Sequence, residues 1–291
     1  MDIALVIVFA VFGAAFGSFL NVCIDRLPAG KSILTPPSHC DSCQHRLSPA
    51  DLVPLLSYLW LRRRCRYCGA SIPQRPFWVE LGTGLLFALS CWYTGLFSAL
   101  SSEHMELLRA LLFWLSEGGV QFAIIIFYGS LFLVIGIIDL EHQLVLNKIS
   151  YPAMALALVI AIFQPPPELI TLHLAWPWPG IVSALMGGAM GFLFLLLAYV
   201  ITLAIYRTEA MGFGDVKLAG LIGLAIGPRL VLLALTLGAI LGGLVGIILL
   251  LLKLKKRKEP LPFGSFLAIS AMLTLIWGSD ILNWYLELLR F

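Results

Sequence analysis

Two aspartates stand where chemistry is easier to explain than packing. Asp139 ends the apolar run 122–138. Asp215 lies in Gly212-Phe213-Gly214-Asp215-Val216-Lys217, between an apolar run that begins near Ile181 and another that begins near Leu218. A carboxylate at the edge of hydrocarbon is costly, and such residues usually serve a pathway, a partner or a reaction. Two carboxyl groups brought close cannot both ionise easily, so they share a proton. One then activates water while the other protonates a carbonyl, which is the aspartic-protease arrangement and needs no metal. Gly212 and Gly214 clear space beside Asp215 for an extended substrate backbone, or permit an unusual turn. Asp25 also follows an apolar run, but Arg26 beside it reads as an ordinary interfacial partner. The competing reading is two unrelated carboxylates paired with Lys148 and Lys217, and spacing alone leaves both open.

The second constellation is Cys40-Asp41-Ser42-Cys43 with Cys65-Arg66-Tyr67-Cys68. Four thiolates in paired CxxC turns suit tetrahedral zinc. Their separation runs slightly beyond the roughly 15–20 residues of familiar zinc signatures. A redox dithiol or two unrelated pairs are the alternatives. His39 and His45 flank the first pair and could substitute as ligands, but four cysteines already complete a site. Cys23 and Cys91 lie in or beside apolar runs and read as small buried residues.

The elements that must position these groups are membrane spans. The chain of 291 residues is 60% hydrophobic and 12% charged, with a mean hydropathy of +0.96. A soluble domain carries about 25% charged residues. The fold class expected is an all-α polytopic membrane protein of about eight transmembrane helices with a zinc-binding cytoplasmic loop. Apolar windows place the spans near 3–22, 78–98, 120–138, 149–164, 181–205, 217–227, 230–252 and 263–281. The sixth is short, and is either tilted or a half-span returning at Gly227-Pro228. The stretch 105–115 is too short to cross and is expected on the surface. The first run lacks a basic flank and a small-residue cleavage site, so it reads as a retained span.

With the N-terminus outside and the spans alternating, the inner segments hold all 19 Lys and Arg except Arg109, Arg229 and Arg290. That is the orientation the positive-inside rule selects. Asp139 and Asp215 then face the cytoplasm. The net charge of +3 is too small to point to nucleic acid. The loop 23–77 is too small for an ordinary core, and in a reducing compartment structural disulfides are not expected. Zinc would supply its folding energy. The apolar stretch 52–60, followed by Arg62-Arg63-Arg64, reads as a segment lying against the inner leaflet. Glu80 reads either as an acid in the first turn of a helix or as a functional carboxylate at the membrane face. Gly238, Gly242, Gly243 and Gly246 suit close helix packing in lipid. The outer segments 99–119 and 165–180, His173 included, carry no chemistry.

With these residues in place, the chain resembles the GxGD membrane aspartyl proteases, and among them the bacterial prepilin peptidases. The resemblance rests on 17–28, 36–43, 64–69 and 76–81. It continues through Ile138-Asp139-Leu140-Glu141-His142, Gly214-Asp215-Val216-Lys217-Leu218 and Pro262-Phe263-Gly264. It covers nearly the whole chain in order. It implies a multi-pass protein of the bacterial inner membrane that removes the short basic leader of type IV prepilins and type II secretion pseudopilins on the cytoplasmic side. It further implies N-methylation of the new N-terminal residue with S-adenosylmethionine. Asp139 and Asp215 take the catalytic roles and Cys40, Cys43, Cys65 and Cys68 the zinc role. Three positions depart from the family pattern: Leu146-Asn147 after the first aspartate motif, Phe213 within the glycine run, and Leu52 after Asp51. The last lies in the loop tied to methylation.

The organisation expected is a first span at 1–22, the cysteine loop at 23–77 and a membrane protease core at 78–291. No glycine-rich fingerprint for S-adenosylmethionine is visible. A peptidase without methyl transfer is the nearest alternative. A small proton- or cation-coupled transporter is the reading from another class, but no repeated halves are seen and the CxxC loop has no place in it.

Overall fold

A computed structural model of the chain describes residues 3–94, 117–162, 178–206, 212–254 and 261–289. The surface stretch expected at 105–115 and the loop residue His173 lie outside these. Among the described residues every regular element is helical. The helices are α1 (Ile3–Arg26), a 3-10 turn (Pro49–Leu52), α2 (Leu56–Trp60), α3 (Arg75–Tyr93) and α4 (Glu117–His142). They continue with α5 (Asn147–Ala161), α6 (Trp178–Tyr206), α7 (Phe213–Ile226), α8 (Pro228–Leu251) and α9 (Phe263–Leu288). Five are long and apolar enough to cross a membrane: Val6–Arg26, Gly118–His142, Gly180–Ile205, Pro228–Leu251 and Phe263–Leu288. This is a multi-pass membrane protein. Contacts divide it within α4 into two compact units, Met1–Ser130 and Leu131–Phe291.

In the first unit α1 packs on α3. Gly13 and Gly17 make this possible, because a Cβ on either would strike Thr83. Phe87, Cys91 and Phe122 form a buried cluster with Phe9, Phe16 and Ile126 against it. Cys23 and Cys91 are buried and unpaired, as expected. The hydroxyls of Thr83 and Ser90 donate to carbonyls one turn back, at Val79 and Leu86. Such back-bonding lets a polar side chain sit inside an apolar helix bundle.

The sequence pairing of Asp25 with Arg26 is not what forms. Arg75 Nη2 lies 2.6 Å from Asp25 Oδ1, while Arg26 donates to the carbonyls of Ser32 and Pro36. Successive residues on a helix do not face one another, whereas Arg75 opens a neighbouring helix.

In the second unit α7 is the packed centre. Val216, Leu218, Ala219, Leu221 and Ile222 are all fully buried. At 14 residues the helix is about 21 Å long, and its surroundings are other helices: α5, α6, α8 and α9 all contact it. It ends at Gly227, φ 78°, a left-handed position that favours glycine. Pro228 then opens α8, where a missing N–H costs nothing. Gly187 on α6 and Gly223 on α7 approach so closely that a Cβ on either would strike the other's main chain. On α8, Gly238, Gly242 and Gly246 meet Leu267, Phe266 and Leu261. Among the described residues a Cβ on Gly243 would meet nothing within 4 Å, so there it does not join the packing stripe expected for it.

Candidate active site

Asp139 sits in the last turn of α4, and Asp215 is the third residue of α7. They are 4% and 8% exposed. A Cβ built on Gly264 would lie 3.0 Å from Asp139 Cγ and Oδ2 and 3.0 Å from Asp215 Oδ1. Both carboxyls therefore face one point, and Asp139 Oδ2 and Asp215 Oδ1 are no more than twice that distance apart. The two edge aspartates meet. Neither is ion-paired among the described residues. Lys217 turns instead to Asn147 Oδ1, 2.9 Å away, and over the rings of Tyr151 and Phe213. The reading of Lys217 as a partner for an aspartate does not hold.

Ser265 grips Asp139 from the start of α9. Its N–H donates to Oδ2 at 2.7 Å, and its Oγ lies 3.1 Å from the same oxygen. A helix begins with main-chain N–H groups that lack partners inside the helix, and Asp139 supplies one from another element. Gly214 is small for a packing reason: a Cβ there would lie 3.0 Å from Val145 Cβ. Gly212 is extended, φ −72° and ψ 134°, so the unusual turn is not formed. It is exposed, with Asp215 Oδ2 the nearest atom to its missing side chain at 3.8 Å. Among the described residues nothing lies closer to that position, which leaves room there for an extended chain. Ser265 is the residue that sequence reasoning missed. It looks like any small polar residue opening a span.

The first unit holds a second constellation. The sulfurs of Cys40, Cys43, Cys65 and Cys68 all lie within 4.8 Å of one another. Each pair sits in the same tight knuckle. Cys40 N–H donates to His45 O and Gln44 N–H to Cys40 O; Cys65 N–H donates to Ala70 O and Gly69 N–H to Cys65 O. The residue after each second cysteine is left-handed, Gln44 at φ 57° and Gly69 at φ 72°. Main-chain N–H groups of Cys43 and Ser42 hold the Cys40 thiol down at about 7, which favours the thiolate that binds metal. His39 and His45 are not part of the cluster. His39 Nδ1 lies 3.1 Å from Pro37 O, and the His45 ring lies tilted against that of Tyr67, centroids 3.8 Å apart.

Asp51 ties the chain between the knuckles. It accepts from the Ser48 hydroxyl at 2.7 Å and Tyr67 Oη at 3.1 Å, and Arg66 Nε lies 2.8 Å away. The Ser48 hydroxyl first, with Tyr67 and Arg66, holds this carboxyl below its usual range. Its neighbours Leu56, Leu59 and Trp60 are exposed. Glu80 is buried beyond the first turn of α3, because the helix begins earlier than expected, at Arg75. Its role as a helix-end acid is thereby replaced. Its Oε2 accepts the N–H of Leu55 at 2.8 Å.

The geometry can be set beside known proteins. The model of the Bacterial Peptidase A24 N-terminal domain matches residues 11–94, and that of the Type IV leader peptidase family matches 124–247. A protein of Pseudomonas putida named Prepilin leader peptidase/N-methyltransferase is 31% identical, over 97% of this chain and 93% of the relative. The chain belongs to the type IV leader peptidase family. Proteins of the same name from Stutzerimonas stutzeri and Bacillus subtilis are 29% and 28% identical. They cover 99% and 96% of this chain, and 96% of each relative. No solved structure matches. The two family matches divide the constellations between them: the cysteine cluster and Glu80 fall in the first, Asp139 and Asp215 in the second.

Proposed function

We propose that this family member is an aspartic endopeptidase of the bacterial inner membrane with an added N-methyltransferase activity. It removes the leader of type IV prepilins and type II secretion pseudopilins on the cytoplasmic side, then methylates the new N-terminal residue. The observation that carries the proteolytic half is the convergence of Asp139 and Asp215 on the bare face of Gly264. The shared name of the curated relatives supports both halves.

In this mechanism one carboxylate takes a proton from water as the water oxygen bonds to the scissile carbonyl carbon. The other carboxylic acid gives its proton to the carbonyl oxygen. Collapse of the tetrahedral intermediate breaks the C–N bond. The departing amine takes a proton from the first carboxyl, and the second recovers its proton from the intermediate. The pair ends as it began, with one proton. Both aspartates are buried, so little bulk water competes for that proton.

The four cysteines fit zinc. Cys40 Sγ and Cys68 Sγ lie 3.9 Å apart, close to the sulfur–sulfur edge of about 3.8 Å in a tetrahedron with Zn–S near 2.3 Å. Cys40, Cys43, Cys65 and Cys68 would hold it, and its role would be structural. S-adenosylmethionine, when bound, supplies an electrophilic methyl group to a free amine. The organisation proposed is a first span at 1–22, a cysteine loop at 23–77 and a protease core at 78–291. In it α3, α5 and α7 join the five long helices to make eight crossings, with the N-terminus outside.

The test is purified protein in detergent, mixed with a prepilin and S-adenosylmethionine, followed by mass spectrometry of the product N-terminus. A shortened, methylated product is expected. Intact prepilin after prolonged incubation with folded protein counts against the reading.

A further inference from the structure

Ser265 meets Asp139 in a way that a simple helix cap does not require. Its Oγ lies 3.1 Å from Asp139 Oδ2 and also 2.7 Å from the carbonyl oxygen of Gly136, one turn back on α4. A hydroxyl has one proton to donate and lone pairs with which to accept. When Asp139 is a carboxylate, the hydroxyl donates to Oδ2. When Oδ2 carries a proton, the hydroxyl turns its own proton to Gly136 and accepts from Oδ2. Ser265 thus satisfies Asp139 in either protonation state without moving a heavy atom. Its main-chain N–H, 2.7 Å from Oδ2, only donates and cannot do the same. Ser265 is 5% exposed, so water does not readily take its place.

We infer that Ser265 is a positioning residue for Asp139, and that the Asp139–Ser265–Gly136 relay holds this carboxyl still while its proton comes and goes. The inference rests on Asp139 working in peptide cleavage. A carboxyl in a proton-sharing pair changes state within each turnover. Without the hydroxyl, the protonated state loses its acceptor, and only the main-chain N–H is left to hold the carboxyl in place beside Asp215. Ground-state binding of a substrate does not depend on that exchange, so the deficit belongs to kcat.

The experiment compares Ser265→Ala, Ser265→Cys and Ser265→Thr with the wild type and Asp139→Asn, in one prepilin cleavage assay. Melting temperature is measured for each protein. Ala removes the hydroxyl. Cys keeps the volume with a weak donor, and Thr restores the hydroxyl. Loss of one hydrogen bond to a charged group predicts a fall in kcat of about tenfold for Ala and Cys. KM should stay within about twofold, and Thr should return most of the rate. The relay is overturned if Ala cleaves at the wild-type kcat. It is equally overturned if Thr is as slow as Ala, or if the rates of the three variants follow their melting temperatures. If instead Asp139→Asn cleaves like the wild type, the aspartyl reading itself fails, whatever Ser265 does.

Discussion

The main-chain N–H of Leu55 donates to the Oε2 of Glu80 at 2.8 Å, across 25 positions of sequence. Leu55 holds φ 60°, a left-handed angle costly for a leucine. A buried carboxylate on α3 therefore fixes a strained turn of the cysteine loop. A hydrogen bond to a charged group is worth about 1.5–3 kcal/mol. Glu80→Ala should release the segment 53–61, seen as faster hydrogen exchange there. Glu80→Gln can still accept from Leu55 and should keep more of that protection. Equal protection in wild type and Glu80→Ala would show that the latch does not matter.

Asp139→Asn and Asp215→Asn should each reduce cleavage by about a thousandfold or more, while the proteins remain folded and inserted. Asn keeps the size but cannot take or give the shared proton. The measurement is cleavage by purified variants of matched melting temperature. Normal cleavage by either one removes the dyad. Chelators should leave the rate unchanged on the timescale of the assay, since no metal takes part in the proposed chemistry.

Asp139 and Asp215 are legible in the sequence because charge at the end of an apolar run is conspicuous. The cysteines are legible because their pattern is local. What is hidden is long-range. Ser265 reaches Asp139 across 126 positions, and only packing of α9 on α4 gives it meaning. Asp25 finds Arg75, 50 positions away, rather than its sequence neighbour. The short seventh helix looks like half a span from its apolar length. Burial of most of its residues among other helices explains how a segment too short for lipid alone is accommodated.

Gly264 faces both carboxyl groups at close range. The Cβ of an alanine there would sit 3.0 Å from both carboxyl groups, so at least one must shift, which disturbs their alignment for proton sharing. Gly264→Ala should therefore cleave more slowly than the wild type, with insertion intact. A Gly264→Ala enzyme as fast as the wild type would mean that the carboxyls do not work at this separation.

Elemental analysis should find about one zinc per chain, the number a site of four cysteine ligands takes. Changing Cys40 and Cys43 together to Ser should abolish it and expose the 23–77 loop to proteases. Ligands bind as thiolates, so acidification through the range where Cys40 titrates, about 7 in the metal-free cluster, should weaken metal uptake. Metal-free protein with an equally protected loop would exclude a structural role.

Methyl transfer has no use for a proton-sharing carboxyl pair. It needs a methyl donor and a free amine. The cysteine loop and the start of α3, both in the first unit, are the segments proposed to serve it. Changes to the cysteine pairs, and Glu80→Gln, should then reduce methylation more than cleavage. Pilin supplied already cleaved should be methylated by Asp215→Asn as well as by the wild type. Mass spectrometry of that substrate reports the added methyl group directly. If folded Asp139→Asn and Asp215→Asn both fail to methylate pre-cleaved pilin, the two reactions share one site and the division is wrong. If the wild type cleaves but never methylates, the chain is a peptidase alone. Leu52, exposed beside the Asp51 anchor and a departure from the family pattern, is then the first position to change.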